Sequence, residues 1–154
     1  MSKKSKLIYF IIAALFFSYF DFYFSNLLIN TRFRLPENPV FDLIFVQNTG
    51  AAFSILENAH VFLITFALLA IALILIYICR NVEKFSTFAS LWSAILVAGI
   101  GCNLYERIAF GYVRDFIKLN FVDFPVFNIS DLFINISVIA LIIIIIKNKY
   151  LKNK

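Results

Sequence analysis

The chain has 154 residues, 62% of them hydrophobic and 15% charged, and its mean hydropathy is +0.90. This length allows one modest domain, and the composition lies far outside the range of water-soluble globular proteins. The net charge of +5 suits contact with anionic lipid, so it predicts no nucleic-acid partner.

Four apolar blocks are each long enough to cross a bilayer, for which about 20 residues suffice. They cover about 7–28, 61–79, 85–105 and 126–146. The N-terminal stretch MSKKSKLIYFIIAALFF could also begin a cleaved signal peptide. However, no small-x-small cleavage pattern follows and bulky residues continue, so we interpret the first block as a retained span. The sequence thus predicts an α-helical integral membrane protein with four transmembrane helices, organised as a single membrane-embedded domain over 1–154.

Basic residues beside the spans predict the orientation, because cytoplasmic loops carry an excess of Lys and Arg. Four spans place both termini on one side. Nine basic residues lie on that side: Lys3, Lys4, Lys6, Arg80, Lys84, Lys147, Lys149, Lys152 and Lys154. Five lie on the other: Arg32, Arg34, Arg107, Arg114 and Lys118. We therefore expect cytoplasmic termini, with two outer segments over about 29–60 and 109–125.

The first outer segment carries structural patterning of its own. NPVFDLIFVQNTG predicts a short strand followed by a turn at Asn48-Thr49-Gly50. AAFSILENAH, residues 51–60, predicts a short amphipathic helix on the membrane surface. The inner connection RNVEK is much shorter, so we expect function on the outer face.

Polar residues gather at the outer ends of the third and fourth spans. An ionisable group at the bilayer centre costs about 2.5–3.5 kcal/mol on insertion scales, so such groups are usually paired or functional. Helical spacing predicts two stripes: Asn103, Glu106 and Arg107 on the third span, and Asn128, Asp131 and Asn135 on the fourth. A connection of only about twenty residues should make the stripes face each other, with Asp115 between them.

Structural explanations for these polar residues stay open at this point. Asn128 as N-cap with Asp131 three residues later is typical of a capping box, and the helix dipole favours the same arrangement. Arg107 and Glu106 could form a structural ion pair.

The alternative is chemical, because two carboxylates within hydrogen-bond reach share a proton. The ionised member can take a proton from water while the protonated member donates to a carbonyl oxygen, as in aspartic peptidases. Asp115 and Asp131 form the candidate pair, and this chemistry needs no metal and no cofactor. The chain offers little for other designs. His60 is its only histidine, and Cys79 and Cys102 lie in different apolar segments.

Three segments resemble the sequence boxes of one family. QNTGAAFSIL (47–56) resembles its Asn-Thr-Gly-Ala-Ala-Phe-Ser box, NLYERIAFGYVRDFI (103–117) its Asn-x-x-Asp-Arg…Gly-x-Val-x-Asp-Phe-Ile box, and FPVFNISD (124–131) its Phe-Pro-x-Phe-Asn-x-Ala-Asp box. With these boxes in order, the chain resembles the lipoprotein signal peptidases (signal peptidase II), a family of bacterial inner-membrane aspartic peptidases.

The resemblance implies a fold, a reaction and a site. The fold would have four transmembrane helices, a small periplasmic β-cradle and a short surface helix. The reaction would be hydrolysis before the diacylglyceryl-modified cysteine of a prolipoprotein, inhibited by globomycin-type cyclic peptides. By position, Asp115 and Asp131 match the catalytic aspartates. The residues that match substrate-binding or orienting positions are Asn48, Gly50, Asn103, Arg107 and Asn128.

The chain departs from the family pattern in the first span and in two of the boxes. The family usually carries Asp-Gln-x-x-Lys in the first span, whereas Asp21 is followed by FYFS and Ser25 stands at the lysine position. Glu106 replaces an aspartate and Ser130 an alanine. A hypothesis of another class is a non-enzymatic four-span scaffold or small transporter, in which the polar stripes only pack helices.

Overall fold

The computed structural model describes residues 2–30, 39–51, 56–57 and 59–152 of the chain. Its helices are α1 (Lys3–Asn30), α2 (His60–Asn81), α3 (Thr87–Phe110) and α4 (Ile129–Lys152), and its strands are β1 (Phe41–Asn48) and β2 (Val113–Leu119). A short 3-10 turn, Val82–Lys84, joins α2 to α3. All four long helices are apolar enough to cross a membrane, which confirms the four predicted spans.

Helix α3 is the centre of the bundle, since α1, α2 and α4 all pack against it. Its buried face is rich in small residues that let helices approach closely, among them Ala89, Ser90, Ser93, Ala94, Ala98 and Gly99. At Gly99 the backbones approach closely, because a Cβ there would lie 2.7 Å from the Ser130 carbonyl oxygen. The backbone of α3 therefore touches the first turn of α4, which fixes the relative height of these two helices.

The ends of α3 are set by local sequence. Ser86 caps its start, accepting a hydrogen bond from the Ala89 N–H at 3.0 Å. At the other end, Gly111 adopts a left-handed φ of 84° and its N–H bonds the Arg107 carbonyl. The predicted third span ended near 105, so α3 continues five residues further and carries Arg107 within the helix.

Contacts at one end of the bundle join the N-terminal part of α1 to the α2–α3 connection. The Lys6 ammonium donates to the carbonyl oxygens of Glu83 at 2.9 Å and Phe85 at 2.6 Å. These two regions therefore lie at the same end of the bundle, as the predicted topology requires.

The strands form a two-stranded antiparallel sheet at the opposite end. Val46 lies opposite Asp115 and Asn48 opposite Val113, with an irregularity in register earlier in β1. Strand β1 confirms the strand predicted from NPVFDLIFVQNTG, and the sheet confirms the β-cradle implied by the resemblance. Strand β2 was not predicted from the residues themselves.

The start of α4 is held against β2 by backbone hydrogen bonds. The Ile117 N–H donates to the Phe127 carbonyl at 2.8 Å, and the Phe127 N–H donates back at 3.0 Å. This bridge places Asn128, the next residue, beside the strand. The surface helix predicted over 51–60 falls largely outside the described residues, and of those described, Leu56 and Glu57 form a turn.

Candidate active site

Asp115 lies on β2 with only 2% of its surface exposed, and both of its carboxylate oxygens accept hydrogen bonds from asparagine side chains. Asn48 Nδ2 donates to Oδ2 at 2.9 Å, and Asn128 Nδ2 donates to Oδ1 at 2.9 Å. Asn48 reaches Asp115 because it lies opposite Val113, two residues along the same face of the strand. The sheet register therefore supplies one of the two donors.

Asp131 lies in the first turn of α4 and also has two hydrogen-bond donors. Asn103 Nδ2 donates to Oδ1 at 2.9 Å, and the Asn128 backbone N–H donates to Oδ2 at 3.2 Å. In return, the Asp131 N–H donates to Asn128 Oδ1 at 2.9 Å. This exchange is a capping box, so the capping interpretation is confirmed. The other carboxylate oxygen of Asp131, Oδ1, is bound by Asn103 of α3. Helix capping does not need this contact.

Asn128 connects the two carboxylates. Its side-chain amide donates to Asp115 Oδ1 and to Asn103 Oδ1, the latter at 3.1 Å, while its carbonyl oxygen caps α4. Its backbone N–H binds Asp131. The stripes on α3 and α4 therefore face each other as predicted, and one buried asparagine holds both aspartates in position.

The turn at Asn48-Thr49-Gly50 is fixed by two further contacts. The Gly50 N–H donates to Asn48 Oδ1 at 2.9 Å, which orients the Asn48 amide so that its Nδ2 faces Asp115. Arg107 Nη2 donates to the Gly50 carbonyl at 2.8 Å, and its Nη1 to the Asn103 carbonyl at 3.2 Å. The Arg107 cation also interacts electrostatically with both aspartates.

Glu106 binds a different arginine from the one we considered. Its carboxylate accepts Arg114 Nε at 2.8 Å, Nη2 at 2.6 Å and the Arg114 backbone N–H at 2.7 Å. The two side chains are only 9% and 11% exposed. Arg114 also donates to Asn26 Oδ1 at 3.0 Å and lies over the Phe110 ring at 4.8 Å. The proposed Glu106–Arg107 ion pair is therefore wrong.

Arg114 was missed because nothing in its local pattern marks it as buried. A signal was nevertheless present. A strand places Arg114 on the face opposite Asp115, and the helix-ending Gly111 turns the chain back toward Glu106. Reading β2 as a strand would have brought the pair together.

Two departures from the family pattern, Ser25 and Ser130, concern the surroundings of Asp21 in α1. Asp21 is only 5% exposed, and Ser130, at the family's alanine position, lies beside it together with Cys102. One Asp21 oxygen, Oδ1, has no hydrogen-bond partner among the residues that the structure describes. Glu106 and Arg114 also act on this carboxyl electrostatically. Ser25 stands at the position where the family pattern has a lysine.

Burial raises the pKa of Asp115 to about 7, and the nearby Asp131 adds to the increase. Hydrogen bonds from Asn48 and Asn128 act in the opposite direction but do not outweigh burial. At neutral pH, Asp115 is therefore poised between its protonated and ionised forms, as an acid–base group needs to be.

Both aspartates open onto one cavity of about 460 Å³. Its polar wall includes five of the residues discussed so far: Asn48, Asn103, Arg107, Asp115 and Asp131. Its apolar wall includes Val46, Phe124, Pro125, Val126, Phe127 and Ile134. Asn135, one turn beyond Asp131, also lines it. The arrangement is a mostly apolar cleft with a few convergent polar groups, which is typical of a binding site.

Comparisons with known proteins agree with this geometry. A family model described as signal peptidase (SPase) II matches residues 8–147. The chain is 41% identical over 115 residues to a lipoprotein signal peptidase of Streptococcus thermophilus, covering 71% of each chain. It is 38% identical over 110 residues to a lipoprotein signal peptidase of Clostridium tetani, covering 70% of each.

Solved structures show the same fold. A bacterial membrane enzyme determined by the in meso method at 2.3 Å resolution is 27% identical to this chain with a TM-score of 0.80, covering 91% of this chain and 88% of that one. These matches to peptidases do not favour the scaffold or transporter hypothesis. The chain belongs to the signal peptidase II family of bacterial multi-pass membrane peptidases.

Proposed function

We propose that this peptidase removes signal peptides from prolipoproteins by cleaving before the diacylglyceryl-modified cysteine, with Asp115 and Asp131 as its catalytic pair. The observation that carries the proposal is the position of Asn128, which hydrogen-bonds both carboxylates at the wall of one cavity. The names of the curated relatives supply the substrate class.

The catalytic pair would share one proton at neutral pH. Two carboxylates held by the same residue cannot both ionise easily. The pKa of Asp115, raised to about 7, supports retention of a proton in the range where the enzyme must work.

The proposed reaction is direct attack by water. The ionised aspartate takes a proton from water as its oxygen attacks the scissile carbonyl carbon, and the protonated aspartate donates its proton to the carbonyl oxygen. The tetrahedral diol then collapses. As the C–N bond breaks, the aspartate that took the water proton gives it to the leaving nitrogen. The other aspartate takes a proton back from a hydroxyl of the diol, which becomes the new carboxyl group.

The surrounding residues would orient this chemistry. Asn48, Asn103 and Asn128 donate neutral amide hydrogen bonds that fix the carboxylates without neutralising them. Arg107 and the Gly50 carbonyl that it holds would position the substrate backbone near the pair. Such positioning matters because a misplacement of about 1 Å can cost roughly 10²-fold in rate.

We place the site at the outer face of the inner membrane, with both termini cytoplasmic and residues 1–154 forming one domain. The asymmetry in basic residues supports this orientation. Bilayer lipid would surround the exposed apolar side chains of the helices. Globomycin-type inhibitors would occupy the cavity between the aspartates.

Purified protein in lipid, incubated with a diacylglyceryl-modified prolipoprotein, tests the proposal. We expect cleavage immediately before the modified cysteine, and loss of cleavage when globomycin is added. Absence of cleavage by folded wild-type protein would contradict the proposed reaction. Cleavage at wild-type rate by both Asp115→Asn and Asp131→Asn would contradict the proposed catalytic pair.

A further inference from the structure

Asn135 is a polar residue of the cavity that none of the contacts described above involves. It lies four residues after Asp131 on α4, so it shares the same helix face and lines the same cavity. Its side chain is exposed and makes no hydrogen bond to any of the described residues. The other asparagines of the site, by contrast, are each bound to an aspartate.

An unpartnered amide is costly at this position. The Asn side chain carries two N–H donors and an acceptor oxygen. Its chain neighbours Ile134 and Ile136 have no polar side-chain atom that could pair with them. A polar group that faces hydrocarbon without a partner is unfavourable, and polar residues within spans usually have a functional partner. The amide of Asn135 is therefore suited to a ligand that enters the cavity.

The depth of Asn135 narrows the identity of that ligand. A helix rises about 1.5 Å per residue, which places Asn135 about 6 Å below Asp131 toward the membrane interior. A signal peptide contains an apolar segment that would approach the aspartates from this direction. Its backbone must leave the helical conformation to present a peptide bond for attack, and an extended backbone in apolar surroundings needs hydrogen-bond partners.

We propose that Asn135 forms a substrate subsite in which its amide hydrogen-bonds a carbonyl group about 6 Å on the membrane side of the scissile bond. This inference rests on the proposed function. An extended chain spans about 3.3–3.6 Å per residue, so the carbonyl would belong to the substrate backbone about two residues before the scissile bond. The ester carbonyls of the diacylglyceryl group have the same chemistry and are the other possible source.

Steady-state kinetics of Asn135→Leu in lipid test the subsite. A hydrogen bond present in both ground and transition states lowers KM without changing kcat. We therefore expect KM to rise about five- to tenfold while kcat stays at its wild-type value. The unfolding temperature should not fall, because Leu removes a polar group that has no partner in the free protein. Asn135→Gln keeps the amide and should recover most of the affinity. Asn148→Leu, the same change near the other end of α4 and outside this cavity, is the matched control and should leave KM unaltered.

A substrate with ether-linked dialkylglyceryl chains, which lacks the ester carbonyls, distinguishes the two sources. If Asn135→Leu raises KM equally for this substrate, the partner is the peptide backbone. If the effect disappears, the partner is an ester carbonyl. A wild-type KM for Asn135→Leu, or a fall in kcat alone, would overturn the subsite. Failure of wild-type protein to cleave either substrate would instead count against the proposed function.

Discussion

Two buried carboxylates lie at β2, and different donors hold them: Asp115 belongs to the strand itself, and Glu106 of α3 binds the neighbouring strand residue Arg114. Asp115 accepts hydrogen bonds from the neutral amides of Asn48 and Asn128. Glu106 accepts a forked ion pair from Arg114. We call the first the amide network, together with Asp131 and Asn103, and the second the arginine network, together with Asn26.

The difference lies in what each donor does to the carboxylate. An amide orients a carboxylate but brings no formal charge, so burial can still raise the pKa, as it does at Asp115. A guanidinium brings both geometry and a full opposite charge. The amide network therefore suits a group that must exchange protons, and the arginine network suits a group that must hold helices and strand together.

The largest effect should come from removing either proton-exchanging carboxyl in the amide network. Asp115→Asn and Asp131→Asn keep the shape and the acceptor oxygen but remove the acid–base function, which contributes about 10²–10⁴-fold. We expect kcat to fall by at least this factor in prolipoprotein cleavage. Thermal unfolding provides the control. For Asp131, lost dipole compensation costs only about 0.3–1 kcal/mol, so a residue that served capping alone would leave cleavage nearly intact.

The arginine network should show the reverse balance between stability and activity. Arg114→Met leaves Glu106 buried without its partner, and breaking a buried ion pair costs about 3–5 kcal/mol. We expect a large fall in unfolding temperature, with residual activity that follows the folded fraction.

The double variant Glu106→Gln/Arg114→Met sharpens the comparison of the networks. It removes both charges together, so its loss of unfolding free energy should be smaller than the sum of the losses in the two single variants. If the unfolding free energy lost in the double variant equals that sum, the two residues do not act as a pair.

Asn128 belongs to the amide network and to the cap of α4, and two substitutions separate these roles. Asn128→Ser keeps an N-cap acceptor, whereas Asn128→Ala removes it at a cost of about 0.5–2 kcal/mol. Both remove the donor to Asp115. We therefore expect both to lower kcat by about 10–100-fold, with only Asn128→Ala losing helix stability. Wild-type kcat in Asn128→Ser would mean that the contact with Asp115 is dispensable.

The sequence was sufficient for features that local patterns determine. The four spans follow from apolar length, and the facing stripes of Asn103 and Asp131 follow from helical periodicity. The capping box at Asn128 follows from residue type and spacing. The position of Asp115 between the two stripes made it the second carboxylate of the candidate pair, and family resemblance then matched both aspartates to catalytic positions.

Local sequence patterns could not predict the features that depend on tertiary contacts. Arg114 joins Glu106 only because Gly111 ends α3 and β2 turns back along it. Strand β2 itself is short, and its pairing with β1 depends on residues nearly seventy positions away. The surroundings of Asp21 likewise come from three different helices, since Cys102 and Ser130 meet it in space rather than in sequence.

The smallest effect we predict is a dependence on pH that arises in the amide network. With the pKa of Asp115 at about 7, raising the pH from 7 to 8 removes the shared proton and should lower kcat by less than tenfold. The free energy of unfolding should also fall as the pH rises. The folded protein binds this proton more tightly than the unfolded chain, whose Asp pKa is near 3.8. The stabilisation is therefore complete below about pH 4 and is lost as the pH rises toward 7. Asp115→Asn should flatten this part of the stability profile, measured as unfolding temperature against pH. An unchanged slope in that variant would assign the titration to another group.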